Sequence, residues 1–192
     1  MSPAPARTSR DAIVAAAREI LESDGLDAVS MASVAARVGV RGPSLYKHVR
    51  DRSGLIDAIA VQAAAELEAA MAAADPGDGT PAEARLASLA TAFRAFARRS
   101  PRATAMLFTD LGPGSAAALE AAARAAGPVV AVAAALAGPA DALAAARVLT
   151  AFTFGFTTME LAGGFRMGGD PEAAFRLGIE TLARGMQASV AR

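Results

Sequence analysis

The chain has 192 residues with no Cys, no Trp, one His and one Tyr, room for one domain or two small ones at about 100–200 residues each. Without Cys it has no disulfide, thiolate zinc site or thiol nucleophile, and the lone His leaves little for a Ser-His-Asp triad or a His-rich metal site. Its 54% hydrophobic content is largely alanine, 54 residues by count, which favours helix over membrane, and a net charge of zero excludes a uniformly basic surface.

The stretch Met1 to Arg7 lacks the apolar core of a secretory signal. Thr8-Ser9 can cap a first helix in which Ile13, Ala16, Ala17, Ile20 and Leu21 recur at helical spacing, and Gly25 ends it. Ser30 caps a short helix, Met31 to Val38, with Val34, Ala35 and Val38 on one face. Gly39-Val40 turns the chain. Pro43 suits the first turn of a third helix, expected over roughly Pro43 to Val49. Ser53 is expected to cap a fourth, reaching about Ala74.

Asp75-Pro76-Gly77-Asp78-Gly79-Thr80-Pro81 is the most loop-like stretch of the chain. A fifth helix follows over Ala82 to Arg99, then a short one over Arg102 to Asp110. Leu111-Gly112-Pro113-Gly114-Ser115 breaks the chain again. The next helix runs from Ser115 toward Ala137, with an interruption expected at Gly127-Pro128. The uncharged run between Arg124 and Asp141 is about 16 residues and holds two prolines, too short and interrupted to span a bilayer of about 20 residues. Another long helix is expected over Asp141 to Ala162. Asp170-Pro171-Glu172 starts the last, reaching about Ala188.

Charge is local. Arg37, Arg41, Lys47, Arg50 and Arg52 face one acid, Asp51, within 16 residues, whereas 11 Arg balance 12 Asp and Glu beyond residue 60. The basic run overlaps Ser30–Val49, where two short helices meet at a glycine turn, the second carrying cations and hydroxyls in its first turns. That pattern describes a helix-turn-helix, whose second helix lies in the DNA major groove. Arg41, Ser44 and Lys47 are its natural DNA-facing side chains.

The stretch from about Thr8 to Ala60 resembles the N-terminal domain of the tetracycline-repressor (TetR) family of bacterial transcription regulators. The resemblance is carried by Asp24-Gly25-Leu26, Ser30-Met31, Val34-Ala35, Val38-Gly39-Val40, Leu45-Tyr46-Lys47-His48-Val49, Arg52 and Leu55. It implies that Arg41, Gly42, Pro43 and Lys47 face bases. Ser30, Ser44, Tyr46, His48 and Arg52 would lie at the DNA backbone, Arg52 standing where the family usually has Lys and gripping a phosphate. Taken alone, Tyr46 could equally just cover the helix pair.

Ala151 to Phe165 resembles the C-terminal domain of a TetR subset named for a Trp-His-Gly signature, although the chain has no Trp and carries Phe154 at the His place. Read directly, this helix has two apolar faces. Phe152, Phe156, Met159 and Glu160 share one; Phe154, Thr158, Leu161 and Phe165 share another. Phe175, Ile179, Leu182 and Met186 repeat along the last helix and also need burial. The family resemblance implies a twofold dimer built from these two helices, with Phe154, Thr158, Leu161, Phe165, Phe175, Ile179, Leu182 and Met186 at the interface. It also implies an effector pocket, for which Phe93, Phe96, Met106, Phe108, Phe152, Phe156, Met159 and Glu160 are candidates, with Asp110 and Arg147 as further polar handles.

The expectation is an all-α protein: residues 1–53 a helix-turn-helix DNA-binding domain, residues 54–192 a helical ligand-binding and dimerisation domain. It would be a cytoplasmic homodimeric repressor of a near-palindromic double-stranded operator, released by a small apolar or aromatic effector. No cofactor, metal, membrane or catalytic residue enters this reading. An enzyme is disfavoured by the single His and the lack of paired carboxylates at useful spacing. A helical carrier without DNA binding is the other alternative, and the basic pattern from Arg41 to Arg52 speaks against it.

Overall fold

The structure is a computed structural model that describes residues 9–110 and 116–190, the side chains of 109, 110 and 190 excepted. The expected loop at Leu111–Ser115 and the side chain of Asp110 lie outside the described residues, as does Arg7. Among the described residues there are nine α-helices and no strand: α1 (Arg10–Asp24), α2 (Met31–Val38), α3 (Gly42–Leu45), α4 (Arg52–Ala74), α5 (Ala82–Arg99), α6 (Pro101–Ala105), α7 (Ala116–Ala137), α8 (Ala142–Leu161) and α9 (Pro171–Val190). A 3-10 turn, Leu26–Ala28, follows α1, and a π-helical turn, Met106–Asp110, continues α6.

The punctuation follows local chemistry. Ser9 Oγ accepts from Ala12 N–H at 3.1 Å and starts α1. Asp170 Oδ1 accepts from Glu172 N–H at 2.9 Å before α9. Three expectations are corrected. The cap of α4 is Asp51, whose Oδ1 accepts from Gly54 N–H at 2.9 Å, so the helix begins at Arg52 and Ser53 lies inside it. The third helix is only Gly42–Leu45, because His48 and Val49 N–H both converge on Leu45 O (2.8 and 3.0 Å) and the chain turns over Tyr46–His48. Helix α7 runs unbroken through Pro128. The preceding residue, Gly127, has no Cβ to meet the proline ring, which relieves one part of the penalty, while the helix bond that proline cannot donate stays unmade.

The residues pack as two compact units. The first holds the described residues up to Ala65 together with Arg102–Ala122; the second holds Glu66–Pro101 together with the described residues from Ala123 on. Packing therefore does not follow a cut at residue 53. Leu55, Ile59, Ala60 and Ala63 of α4 join Ile13, Ala17, Ile20 and Leu21 of α1 in one core, and Ala103, Met106 and Ala118 are buried in the same cluster. Glu22, near the end of α1, caps α6 by accepting from Arg102 and Ala103 N–H at 3.2 and 3.0 Å.

In the second unit α5, α8 and α9 pack on one another, burying Leu86, Leu89, Phe93 and Phe96 of α5, Leu149 of α8, and Phe175 and Ile179 of α9. The loop before α5 is pinned by Arg85, whose Nε and Nη2 donate to the two carboxylate oxygens of Asp75 at 2.6 and 2.7 Å. By length and composition α7 and α8 are each long and apolar enough to cross a membrane.

Candidate nucleic-acid interface

The interface candidate is built on the α2–α3 pair. Ser30 and Ser33 form a reciprocal cap at the start of α2: Ser30 Oγ accepts from Ser33 N–H, and Ser33 Oγ from Ser30 N–H, each at 3.0 Å. Gly39 ends α2 at φ 76°, a left-handed conformation that glycine alone adopts without cost, with its N–H donating to Ala35 and Ala36 O. Val34, Leu45 and Val49 are buried beneath the turn. Burial of each such side chain stabilises by about 1.5–3 kcal/mol. These anchors decide which way α3 faces.

With Leu45 and Val49 inward, Arg41, Pro43, Tyr46, Lys47 and His48 are exposed, while Gly42 and Ser44 are half-buried. Tyr46 is 58% exposed, so it does not simply cover the helix pair. The five cations of the basic run divide by partner. Arg37 donates to Glu19 of α1 at 3.0 Å, and Arg50 to Asp51 at 2.8 Å. Arg52 is turned onto backbone, its Nε donating to Val29 O at 2.7 Å and its Nη2 to Leu26 O at 2.8 Å. Among the described residues Arg41 and Lys47 have no carboxylate partner and point to solvent. Hydrogen bonds from Gly54 N–H and Arg50 hold the Asp51 carboxyl below the usual aspartate range. Ser30, also expected at DNA, spends its side chain on the cap.

The C-terminal candidates are only partly assembled. Phe152, Phe156 and Phe175 form an aromatic group with ring centroids 5.2–6.0 Å apart, and Phe165 packs 4.6 Å from Phe156. At its edge Arg94, 4% exposed, lies 4.6 Å over Phe175. Its guanidinium donates to both oxygens of Glu160 (2.9 and 2.6 Å) and to Glu172 (2.6 Å). Glu160 also accepts from Arg98 at 2.8 Å. Glu160 is thus the centre of an ion cluster; Arg94 and Arg98 hold its carboxyl below the ordinary glutamate range against the opposing effect of burial. Phe93 and Phe96 are buried in this unit and Met159 is exposed. Met106, buried, and Phe108, exposed, belong to the first unit.

The expected dimer face divides as well. Thr158, Leu161 and Phe165 are exposed, and Phe154, Leu182 and Met186 are half-buried. Phe175 and Ile179 are buried within the protomer, because the core of α5, α8 and α9 needs them. The outward side of α9 carries Ala174, Leu177, Thr181, Arg184 and Ala188 instead. Sequence reasoning passed over Arg94 and Gly178. Arg94 had an acid of opposite charge only at long sequence separation. At Gly178 a Cβ would come 2.1 Å from the Phe152 ring, so glycine is what lets that ring lie on α9.

A short helix pair with a buried anchor line and outward cations on its second member defines a helix-turn-helix DNA-binding protein. Residues 13–59 match the family described as bacterial regulatory proteins, tetR family, and residues 86–182 match the tetracyclin repressor-like C-terminal domain. An HTH-type transcriptional regulator of Mycobacterium tuberculosis is 29% identical over 185 residues, 95% of this chain and 84% of that one. The class D tetracycline repressor of Escherichia coli is 37% identical over 57 residues, 30% of this chain and 26% of that one. A solved structure from Rhodococcus sp. RHA1 superposes with a TM-score of 0.82 at 30% identity, covering 96% of this chain and 98% of that one. The chain belongs to the TetR family of transcriptional regulators, with an N-terminal helix-turn-helix DNA-binding domain and a C-terminal ligand-binding domain.

Proposed function

We propose that the protein is a cytoplasmic homodimeric repressor that binds a near-palindromic operator and is released by a small apolar or aromatic effector. The observation that carries this is the sorting of side chains on α3 and the residues flanking it: Leu45 and Val49 buried, Arg41, Tyr46, Lys47 and His48 outward. In this reading Arg41, Gly42, Pro43 and Lys47 meet base edges, and Ser44, Tyr46 and His48 meet phosphates. Two copies place their recognition helices about 34 Å apart, one helical turn of DNA.

The dimer reading is supported by the outward side of α8, with Ala144, Val148, Ala151, Thr158 and Leu161, and by Ala174, Leu177 and Ala188 of α9, which are mostly apolar and need cover. That also accounts for the apolarity of α8 without a membrane. The effector reading is supported by the half-buried Phe152 and Phe156, an aromatic wall beside one fixed cation and its carboxylates. The effector acts by preferring a conformer whose half-site separation is wrong for the operator, α4 carrying the movement.

Selection of bound sequences from a random DNA pool at about 150 mM salt, where non-specific contacts are weak, tests this reading. The expected result is an enriched inverted repeat with half-sites one helical turn apart. No enrichment, from protein refolded out of denaturant to strip any carried ligand, would contradict it and favour a carrier without DNA binding.

A further inference from the structure

Among the described basic residues around the recognition helix, Arg52, although exposed, is the one whose guanidinium bonds to main-chain carbonyls of the protein. It is the first residue of α4, and it reaches the turn between α1 and α2. Nε donates to Val29 O at 2.7 Å and Nη2 to Leu26 O at 2.8 Å. Those two carbonyls belong to the segment that leads directly into the Ser30–Ser33 cap of α2. The Val29 side chain beside them is fully buried, and Val29 N–H closes the 3-10 turn onto Leu26 O at 3.2 Å. A single planar group thus ties the first turn of α4 to the start of α2.

We infer that Arg52 is a positioning residue, a strut that sets α2, and through the Gly39 turn α3, on the end of α4, rather than the clamp on a DNA phosphate that the family resemblance implies. The inference rests on the operator-binding reading above. The physical case is the use of the fork. Two of its three nitrogens make charge-assisted bonds to neutral carbonyls, the strong class of protein hydrogen bond; these fix the plane of the guanidinium on the protein, and only the N–H groups they leave over could turn to a phosphate. Asp51, the preceding residue, is fixed by its bond to Gly54 N–H, so the backbone from which Arg52 projects is itself held. The identity of the residue is consistent with this. A lysine, a point donor on a flexible stem, serves a phosphate well, but it cannot give two parallel bonds from a rigid plane. The strut also gives α4 a handle on the DNA-reading helices: a shift of its first turn pulls the segment that enters α2.

Arg52→Ala and Arg52→Lys, made in the full chain, separate the two roles. The readouts are affinity for the selected operator across a salt series, and amide hydrogen exchange in the DNA-free protein. A strut predicts that both variants bind about tenfold or more weakly, from the loss of two such bonds. The slope of log affinity against log salt should stay unchanged, and amides from Ala28 to Val34 should exchange faster without DNA. A phosphate clamp predicts that Arg52→Lys binds like the parent, that Arg52→Ala lowers the slope by about one, and that exchange is unaltered; that result overturns the inference. Should the parent itself show no salt-dependent specific binding, the operator reading falls and this inference with it. Where the parent does bind, unaltered exchange in both variants overturns the strut alone. Arg52→Lys keeps the charge, so it supplies the comparison if the alanine variant unfolds.

Discussion

Arg41 and Arg94, one in each unit of the chain, are used in opposite ways. Around α3, Arg41 and Lys47 stand in solvent with no carboxylate partner among the described residues. In the second unit, Arg94 is buried, stacked on Phe175 and neutralised by Glu160 and Glu172. An exposed cation stabilises the fold little and is free to meet a phosphate or a base edge. A buried one becomes part of the core, where removing it strands its partner. The same residue type is therefore left free for a partner at Arg41 and made a structural joint at Arg94, and direction rather than count tells them apart. A net charge of zero hides the difference.

Substitution can break that contrast. The largest effect is expected at Arg94→Ala, which leaves the Glu160 carboxylate with Arg98 alone and removes the cation from the Phe175 ring. Urea unfolding should show a loss of about 3–5 kcal/mol. Gly178→Ala forces a methyl into the Phe152 ring and should cost about 1–3 kcal/mol by the same assay. Arg41→Ala, by contrast, should leave the urea midpoint within about 0.5 kcal/mol while costing about 1–3 kcal/mol of operator affinity and relaxing specificity at one base position. A stability loss at Arg41 rivalling that at Arg94 would dissolve the contrast.

The smallest effect is on pH dependence. Arg94 holds the Glu160 carboxyl below its ordinary value of 4.5, so the stability it lends is complete above that pH. It is lost as the pH falls from there through the lower value of the folded state. Glu160→Gln should flatten this part of the acid limb of a melting-temperature profile; an unchanged acid limb would show that the ion cluster contributes nothing there.

The N-terminal helices were legible because each boundary is written in adjacent residues. Ser9 and Gly25 bound α1; Ser30 and Gly39 bound α2. The end of α3 was not, since the turn at Tyr46–His48 is set by burial of Leu45 and Val49 and by the Asp51 cap. The interruption expected at Pro128 is absent, since the surrounding helix of Ala116–Ala137 carries the proline despite the bond it cannot donate. Arg52 and Lys47 look alike in a list of charges, and only the position of the Leu26 and Val29 carbonyls separates them. The second unit was harder. Arg94 and Glu160 are 66 positions apart, and the spacing of Phe175 and Ile179 fits a partner face and a protomer core equally well. Their place in the core becomes clear only once α5, α8 and α9 are packed together.

The central claim is that the outward side chains flanking α3, Arg41 and Lys47, read DNA and hold up nothing else. Its most direct test is the doubly substituted chain, Arg41→Ala with Lys47→Ala, assayed by fluorescence anisotropy against the selected operator and a scrambled duplex. The account predicts that the preference for the operator collapses toward the scrambled value, the salt slope falls, and the melting temperature stays put. Retained preference in a normally folded variant would contradict it and place the reading surface elsewhere.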